Sequence, residues 1–384
     1  MTNPPDKIAF VCLNPRKTKK HRVMTMLAAA GNIRFFSFAP LGFKPYPETP
    51  HRARAALETS TNTPQSAFVR NAKLWLYRRQ YAGSRSFFEA HPDAVAVAWN
   101  GLNSARRVFM DAAKDAGNKT LFFELAPFPD RITIDPNGVN FHNSLPRVPV
   151  PYVAWAKTNA IDQLQWHSLR DTITQRQPAT PPAPLSSQHS LDGNFVFVPL
   201  QVPGDSQLRI FGGAFKTVDT FVQTILTAAS KCPPDWHIRI KEHPTAAPFV
   251  RAAIEASGCS NVVLDNATNT FEQVKKSKLV MTINSSVGME AMFYEKPVVA
   301  AGNCFWAIEG IAEHAGTADR IEQVLSEPAK VTFDPEARHA FLNYLDHCYY
   351  PKLSAPNIAD IHSRLGGPDA YGFWQTQEMR DVLV

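Results

Sequence analysis

The sequence predicts an α/β protein made of two doubly wound domains, and three observations predict it. Short apolar runs with the composition of buried strands alternate with helix-length amphipathic stretches along most of the chain. A Pro-, Ser- and Gln-rich segment without apolar periodicity, residues 176–192, interrupts that alternation near the middle. At 384 residues the chain is too long for one ordinary core and suits two domains.

Taken in order, residues 7–14 read as a buried strand and 18–30 as a helix ended by Gly31. A strand follows at 32–38, a helix at 67–89, and a strand at 94–99 closed by Asn100-Gly101. The helix 104–116, stopped by Gly117, and the strand 120–125 complete a first, Rossmann-like domain set at residues 1–175. Beyond the linker, strands at 195–200, 237–241, 261–265, 279–283 and 297–301 alternate with helices at 213–230, 247–257, 270–276 and 287–294. These define a second Rossmann-like domain at 193–330, facing the first across a central cleft, and residues 331–384 form a helical tail expected to pack back on the first domain. The sequence holds no heptads, tandem repeats or Walker-type glycine loop.

Composition narrows the function. With 40 basic against 34 acidic side chains the net charge is +6, modest for this length, and the basic residues are not interleaved with aromatics in a nucleic-acid pattern. No nucleic-acid partner is expected. Cys12, Cys232, Cys259, Cys304 and Cys348 are odd in number, far apart and without metal-ligand spacing, which predicts a reducing, cytoplasmic location and no metal site. Met1 to Asp6 lack the basic start of a secretory signal, and 7–13 is too short to span a bilayer, so any membrane contact is expected to be peripheral.

Chemistry in doubly wound sheets sits at the carboxyl ends of the strands. Ile240-Lys241-Glu242-His243-Pro244 ends a strand whose odd positions, His237, Arg239, Lys241 and His243, give it one cationic face. Lys241 and His243 are expected to hold a phosphate as it leaves, although His-Pro after a strand is also an ordinary turn. Asn284-Ser285-Ser286 follows another apolar strand and opens a helix. There Ser285, Ser286 and the first amides suit a donor phosphate, Gly288 allows close approach, and Glu290 suits ribose hydroxyls; alternatively, a serine simply caps the helix. In VPLQVPGDSQ, 198–207, a strand breaks at Pro-Gly and delivers Asp205 and Gln207 into a loop, where Asp205 is either a turn residue or a carboxylate for an anomeric carbon. Glu124 closes the apolar run FFEL as a candidate acid or base, or as a buried partner for Arg131.

VPLQVPGDSQ, KEHP at 241–244, NSSVGMEAMFYEKPVVAAG at 284–302, and FFELAPFP with DPNGVN between 122 and 140 resemble the bacterial capsule polysaccharide biosynthesis family. More narrowly they resemble its Kdo transferases, which build a β-linked Kdo linker on a phosphatidylglycerol anchor; the likeness covers roughly 95–310. The resemblance implies a GT-B-like fold, a CMP-Kdo donor, no metal or other cofactor, and CMP held by the carboxyl-terminal domain. It makes Asp205 the nucleophile of a retaining double displacement, puts His243 on the donor phosphate, lines the nucleotide with Asn284 to Glu290, and assigns Glu124 to the acceptor. Glu-Leu-Ala at 124–126 stands where a nearby glycine is expected in that family.

Physically, a 2-keto sugar leaving CMP builds oxocarbenium character on carbon and negative charge on phosphate, so a carboxylate on one side and cations on the other lower the barrier. Retention needs attack by the protein and inversion only a base; the residues alone leave both open, along with another CMP- or UDP-sugar donor and a non-catalytic capsule assembly or export role. The basic run Arg16, Lys17, Lys19 and Lys20, directly after the first strand, is either a solvated face or a contact for a lipid-linked anionic acceptor at the inner membrane surface.

Overall fold

The apolar runs assemble into two sheets, each inside its own compact unit. The structure, a computed structural model, describes residues 8–15, 17–60, 66–172, 191–243, 249–354 and 358–365. One unit comprises Met1–Leu145 with Leu345–Val384, the other Pro146–Tyr344.

In the first unit the sheet runs β2-β1-β3-β4-β5, from β1 (Ile8–Leu13), β2 (Gly31–Phe36), β3 (Val95–Trp99), β4 (Thr120–Leu125) and β5 (Ile132–Asp135). β1 to β4 pair in parallel and β5 is antiparallel to β4. Every residue of β3, VAVAW, is buried, as a central parallel strand covered on both faces requires. The helices are α1 (Thr18–Met24), α2 (Thr49–Glu58), α3 (Ala67–Ala90) and α4 (Ser104–Ala116). Gly117 stops α4 at a φ of 84°, a left-handed conformation that glycine adopts without strain.

The second unit begins with α5 (Val150–Thr158) and α6 (His167–Arg170). Its sheet contains β6 (Asn194–Pro199), β7 (Trp236–Lys241), β8 (Val262–Leu264), β9 (Leu279–Thr282), β10 (Val298–Ala300) and β11 (Glu313–His314), all parallel, in the order β11-β10-β9-β6-β7-β8. Between and after them lie α7 (Ser206–Phe211), α8 (Val218–Ala228), α9 (Val250–Ser257), α10 (Thr270–Lys276), α11 (Ser286–Met292), α12 (Ala318–Ser326) and α13 (Pro335–Tyr344). Val196, Val198, Ile238, Ile240, Met281 and Val299 from the sheet meet Phe221, Val222 and Ile225 of α8 in its core. Each unit is thus Rossmann-like, so the chain carries two such domains.

Several boundaries differ from the sequence reading. The expected helix 18–30 is α1 followed by a tight 3-10 turn, Thr25–Ala29, because β2 starts at Gly31 and leaves no room for a further α turn. The expected helix 213–230 starts at Val218, where the Thr217 hydroxyl accepts from the Thr220 amide at 3.1 Å. The units also divide at Leu145/Pro146, upstream of the Pro-rich segment 176–192, which itself falls mostly outside the described residues. The reason is that α5 packs with α13: Tyr152 stands edge-on to Phe341 and Tyr344, with centroids 5.0 and 5.3 Å away.

After α13 the chain re-enters the first unit through a π-helical turn, Leu345–Tyr349, and α14 (Ile358–Leu365) places Ile361 and Leu365 in that unit's core beside Val97, Trp99 and Phe123. Asp135 organises this return. Its fully buried carboxylate accepts from the Asn137 and Gly138 amides at 2.8 and 3.0 Å, the Ser144 amide and hydroxyl at 2.9 and 2.8 Å, and the Tyr349 hydroxyl at 2.8 Å. Arg131 pairs with Asp346, and the Ile132 amide donates to Pro351 at 3.1 Å. Arg131 therefore has an acidic partner other than Glu124.

Tyr349→Phe removes one of five donors to a buried charge and is expected to destabilise the first unit by about 1–3 kcal/mol. Hydrogen exchange should rise in β4, β5 and α14 and stay unchanged in β6 to β9.

Candidate functional site

Each sheet has one place where successive strands leave in opposite directions. In the second unit the chain moves outward from β6 through β7 and β8, then returns to β9 and moves outward the other way, so the loops after β6 and β9 diverge and leave a crevice at their carboxyl ends. Those two loops carry Asp205 and Asn284-Ser285-Ser286.

They are tied by two amides. Gln201 Nε2 donates to Asn284 Oδ1 at 2.9 Å, and the Asn284 backbone amide donates to Gln201 Oε1 at 3.2 Å. Asn284 Nδ2 in turn donates to the Gln207 carbonyl at 3.2 Å. Asp205 sits between, after a turn in which Gly204 has a φ of 80°. It is the N-cap of α7: its Oδ1 accepts from the Gln207 amide at 2.9 Å, whereas Oδ2 has no hydrogen-bond partner among the described residues. The side chain is half-buried. Asp205 is thus a helix cap with one carboxylate oxygen left over.

On the other loop Ser285 caps α11 by accepting from the Val287 amide at 3.2 Å. Ser286, Val287 and Glu290 lie on its half-buried face while Gly288, Met289, Ala291 and Met292 are buried, so Ser286 and Glu290 share a side as their spacing predicts. Gly288 corrects the sequence reading. A Cβ there would lie 2.5 Å from the Trp306 ring and 2.9 Å from Thr282 Cγ2, so the missing side chain makes room for a buried tryptophan rather than for a ligand.

Beside β6, β7 departs from expectation as well. The cationic face is closed over by its own unit. Arg239, fully buried, pairs with Asp265 at 2.5 Å. Burial works to raise the Asp265 carboxyl, but hydrogen bonds from Thr268 and Arg239 outweigh it and hold it below the usual carboxylate range. Lys241, 7 % exposed, donates to the carbonyls of Asn266 and Thr268 at 2.8 and 2.7 Å. Burial lowers its pKa, with Asp265 opposing. Its ammonium therefore fastens the turn after β8 instead of offering a charge to the crevice, since those carbonyls would otherwise be buried without donors. Glu242, which sequence reasoning passed over, accepts from the Phe249 and Val250 amides at 3.0 Å each and from Asn266 at 2.8 Å, so it caps α9. His243 is half-buried at the end of this loop; Pro244 lies outside the described residues.

In the first unit the corresponding divergence lies between β1 and β3. Glu124, at the end of β4, accepts from Trp99 Nε1 at 3.1 Å and from Asn100 Nδ2 at 2.9 Å. Asn100 is left-handed at a φ of 67°, which turns the chain after β3 and brings its amide to the carboxylate. Lys20 Nζ stands 4.6 Å from the Trp99 ring centroid. Burial lowers the Lys20 pKa, and Glu124 is the charge that opposes this. Of the basic run, then, Lys20 joins Glu124, Lys17 and Lys19 are exposed, and Arg16 lies outside the described residues. No cluster of three or more His, Cys, Asp or Glu able to hold a metal occurs among the described residues.

With this geometry in place, comparison with known proteins is informative. The profile of the family described as capsule polysaccharide biosynthesis protein matches residues 183–350, a span that contains both loops of the second crevice. Over that span the chain resembles the capsule polysaccharide biosynthesis family. Among curated relatives, Protein FixF of Sinorhizobium fredii is 29% identical over 287 residues, covering 73% of this chain and 67% of the relative. The capsule polysaccharide export protein KpsS of Escherichia coli is 23% identical, covering 52% and 64%. The capsule polysaccharide modification protein LipB of Neisseria meningitidis is 28% identical, covering 43% and 41%. The chain thus spans between 41% and 67% of the length of these relatives. A solved structure of Thermosulfurimonas dismutans KpsC, a beta Kdo 2,7 transferase, aligns with 86% of this chain and 88% of its own at 14% identity and a TM-score of 0.48.

Gly288→Ala is expected to destabilise the second unit by about 1–3 kcal/mol, because the methyl overpacks the Trp306 ring. A lowered thermal midpoint in the absence of any nucleotide is the check; an unchanged midpoint would return Gly288 to a ligand-facing role.

Proposed function

We propose that the chain is a glycosyltransferase of capsule polysaccharide biosynthesis that transfers Kdo from CMP-Kdo to a phosphatidylglycerol-linked acceptor, with retention. The observation that carries this reading is Asp205, whose Oδ2 lacks a partner among the described residues at the switch point of a sheet within the family-matched span. The resemblance carried by the sequence motifs supports the donor class. Ser286 and Glu290, on the accessible side of α11, are assigned to the nucleotide, and His243 to the donor phosphate. Gln207 and Asn284 act through the backbone and amide contacts that position Asp205, and Lys241 holds the floor of the site rather than the phosphate.

In the proposed reaction Asp205 Oδ2 attacks the anomeric carbon while the bond from that carbon to the phosphate oxygen breaks, and CMP leaves with the electron pair. An acceptor hydroxyl then displaces the carboxylate, giving its proton to a base and restoring Asp205. Glu124 is assigned to the acceptor as acid or base, and its contacts with Trp99 and Asn100 fix its orientation. A second reading, a non-catalytic role in capsule assembly or export, is favoured by the name of the KpsS relative and by the capping bond that already gives Asp205 a structural task.

Asp205→Asn separates the two, because asparagine caps a helix about as well as aspartate. The variant should keep its stability within about 0.5 kcal/mol yet lose at least about a hundredfold in CMP release from CMP-Kdo with a Kdo-primed lipid acceptor. Full activity in this variant would remove the carboxylate as nucleophile. No turnover by the folded wild-type protein would favour the second reading.

A further inference from the structure

We propose that the outward face of α3, continued by the loop at residues 38–43, is a docking surface for an anionic lipid bilayer. The inward face of α3 is settled: Tyr77, Tyr81, Ser84 and Phe88 are buried, and Tyr77 and Tyr81 pack with Ala53, Leu57 and Val108 of α2 and α4. The opposite face in the amino-terminal half of the helix is apolar and bare. Phe68 is 81 % exposed, Trp75 53 %, and Val69 and Leu76 43 % and 37 %. At 100° per residue Phe68, Trp75 and Arg79 form one stripe, with Arg78 on its flank.

The loop extends that stripe. Its Gly42 amide donates to the Arg79 carbonyl at 2.9 Å, and Gly83 lies so close to the loop that a Cβ on it would stand 2.4 Å from the Pro40 oxygen. The Arg79 guanidinium lies 4.5 Å from the Phe43 ring and 5.7 Å from the Trp75 ring, so both aromatics border one cation. Phe38, Leu41 and Phe43 are 77 %, 60 % and 76 % exposed. So many large apolar side chains on one exposed face need a partner.

Charge decides which partner. No Asp or Glu occurs at residues 7–47 or 59–88, which include the whole loop and the helix up to Phe88. Glu89, the carboxylate that follows, is bound by Lys44, Tyr46 and Arg85. Exposed aromatics set among cations with no acid between them match the interface of an anionic bilayer, where rings sit at headgroup depth and Lys and Arg reach the phosphates. A second copy of this chain is the poorer fit, because a two-fold contact would set these basic faces against each other. The surface is distinct from the Arg16 to Lys20 run, whose Lys20 is turned to Trp99 and Glu124.

The inference stands independently of the transfer reaction, and its test contains neither donor nor saccharide. Full-length protein is sedimented with vesicles of phosphatidylcholine alone or mixed equally with phosphatidylglycerol, at low and high salt. Wild type should partition to the mixed vesicles and be released by salt. The Phe43→Ser, Phe68→Ser, Trp75→Ser triple variant, with an unchanged thermal midpoint, should bind at least about tenfold more weakly. Arg78→Glu should weaken binding to the mixed vesicles about fivefold or more. Equal partitioning of wild type and triple variant, no wild-type binding to the mixed vesicles, or a wild-type dimer in sedimentation velocity that the triple variant disperses would each overturn the proposal. Vesicle binding by a protein that releases no CMP would leave it standing and remove only the transferase reading.

Discussion

Two side-chain amides, Gln201 and Asn284, hold the second unit's crevice in shape. A doubly wound sheet sends its strands apart at the switch point, and the loops that leave β6 and β9 lack the ladder that holds the strands together. Side chains must supply that connection. The Gln201 side chain donates to the Asn284 side chain and accepts from the Asn284 backbone amide, and the Asn284 side chain donates on to the carbonyl of Gln207. Buried amides left unpaired here would cost about 1–3 kcal/mol each. Paired, they fix the loop that carries Asp205 relative to the one that carries Ser285 and Ser286, which is what a site assembled from two loops requires.

The first unit solves the same problem with different chemistry. Its switch point gathers a carboxylate, an indole N–H, an asparagine amide and an ammonium, through Glu124, Trp99, Asn100 and Lys20. An amide pair is neutral, so it serves as a brace. A carboxylate with a half-buried cation nearby keeps charge at the end of the sheet. The charge at the end of the sheet therefore differs between the two crevices even though their topology is alike.

What the sequence disclosed and what it withheld follow from range. The strand and helix alternation was legible because burial on both faces imposes continuous apolar runs such as VAVAW on β3 and FVFV within β6. The positions of Asp205, Ser285 and Glu124 at strand ends were legible because each stands where an apolar run stops. Lys241 and Arg239 were misread because alternation says only which side chains share a face, not what lies above that face; Asp265 and the carbonyls of Asn266 and Thr268 fill it. Asp265 itself closes a strand just as Glu124 does, and the same rule applied there would have found the partner. Gly288 was read as an approach for a ligand, and nothing near it in sequence announces that Trp306 takes the space.

The interrupted construction of the first unit imposes an order on the making of the protein. A ribosome releases β1 to β5 early, but Asp135 then waits, two hundred residues short of Tyr349, with one of its donors not yet synthesised. Ile361 and Leu365 reach the core later still. The second unit, continuous from Pro146 to Tyr344, can close as soon as it emerges. The half that is born first is therefore finished last, with part of its hydrophobic interior still open until the end of the chain arrives.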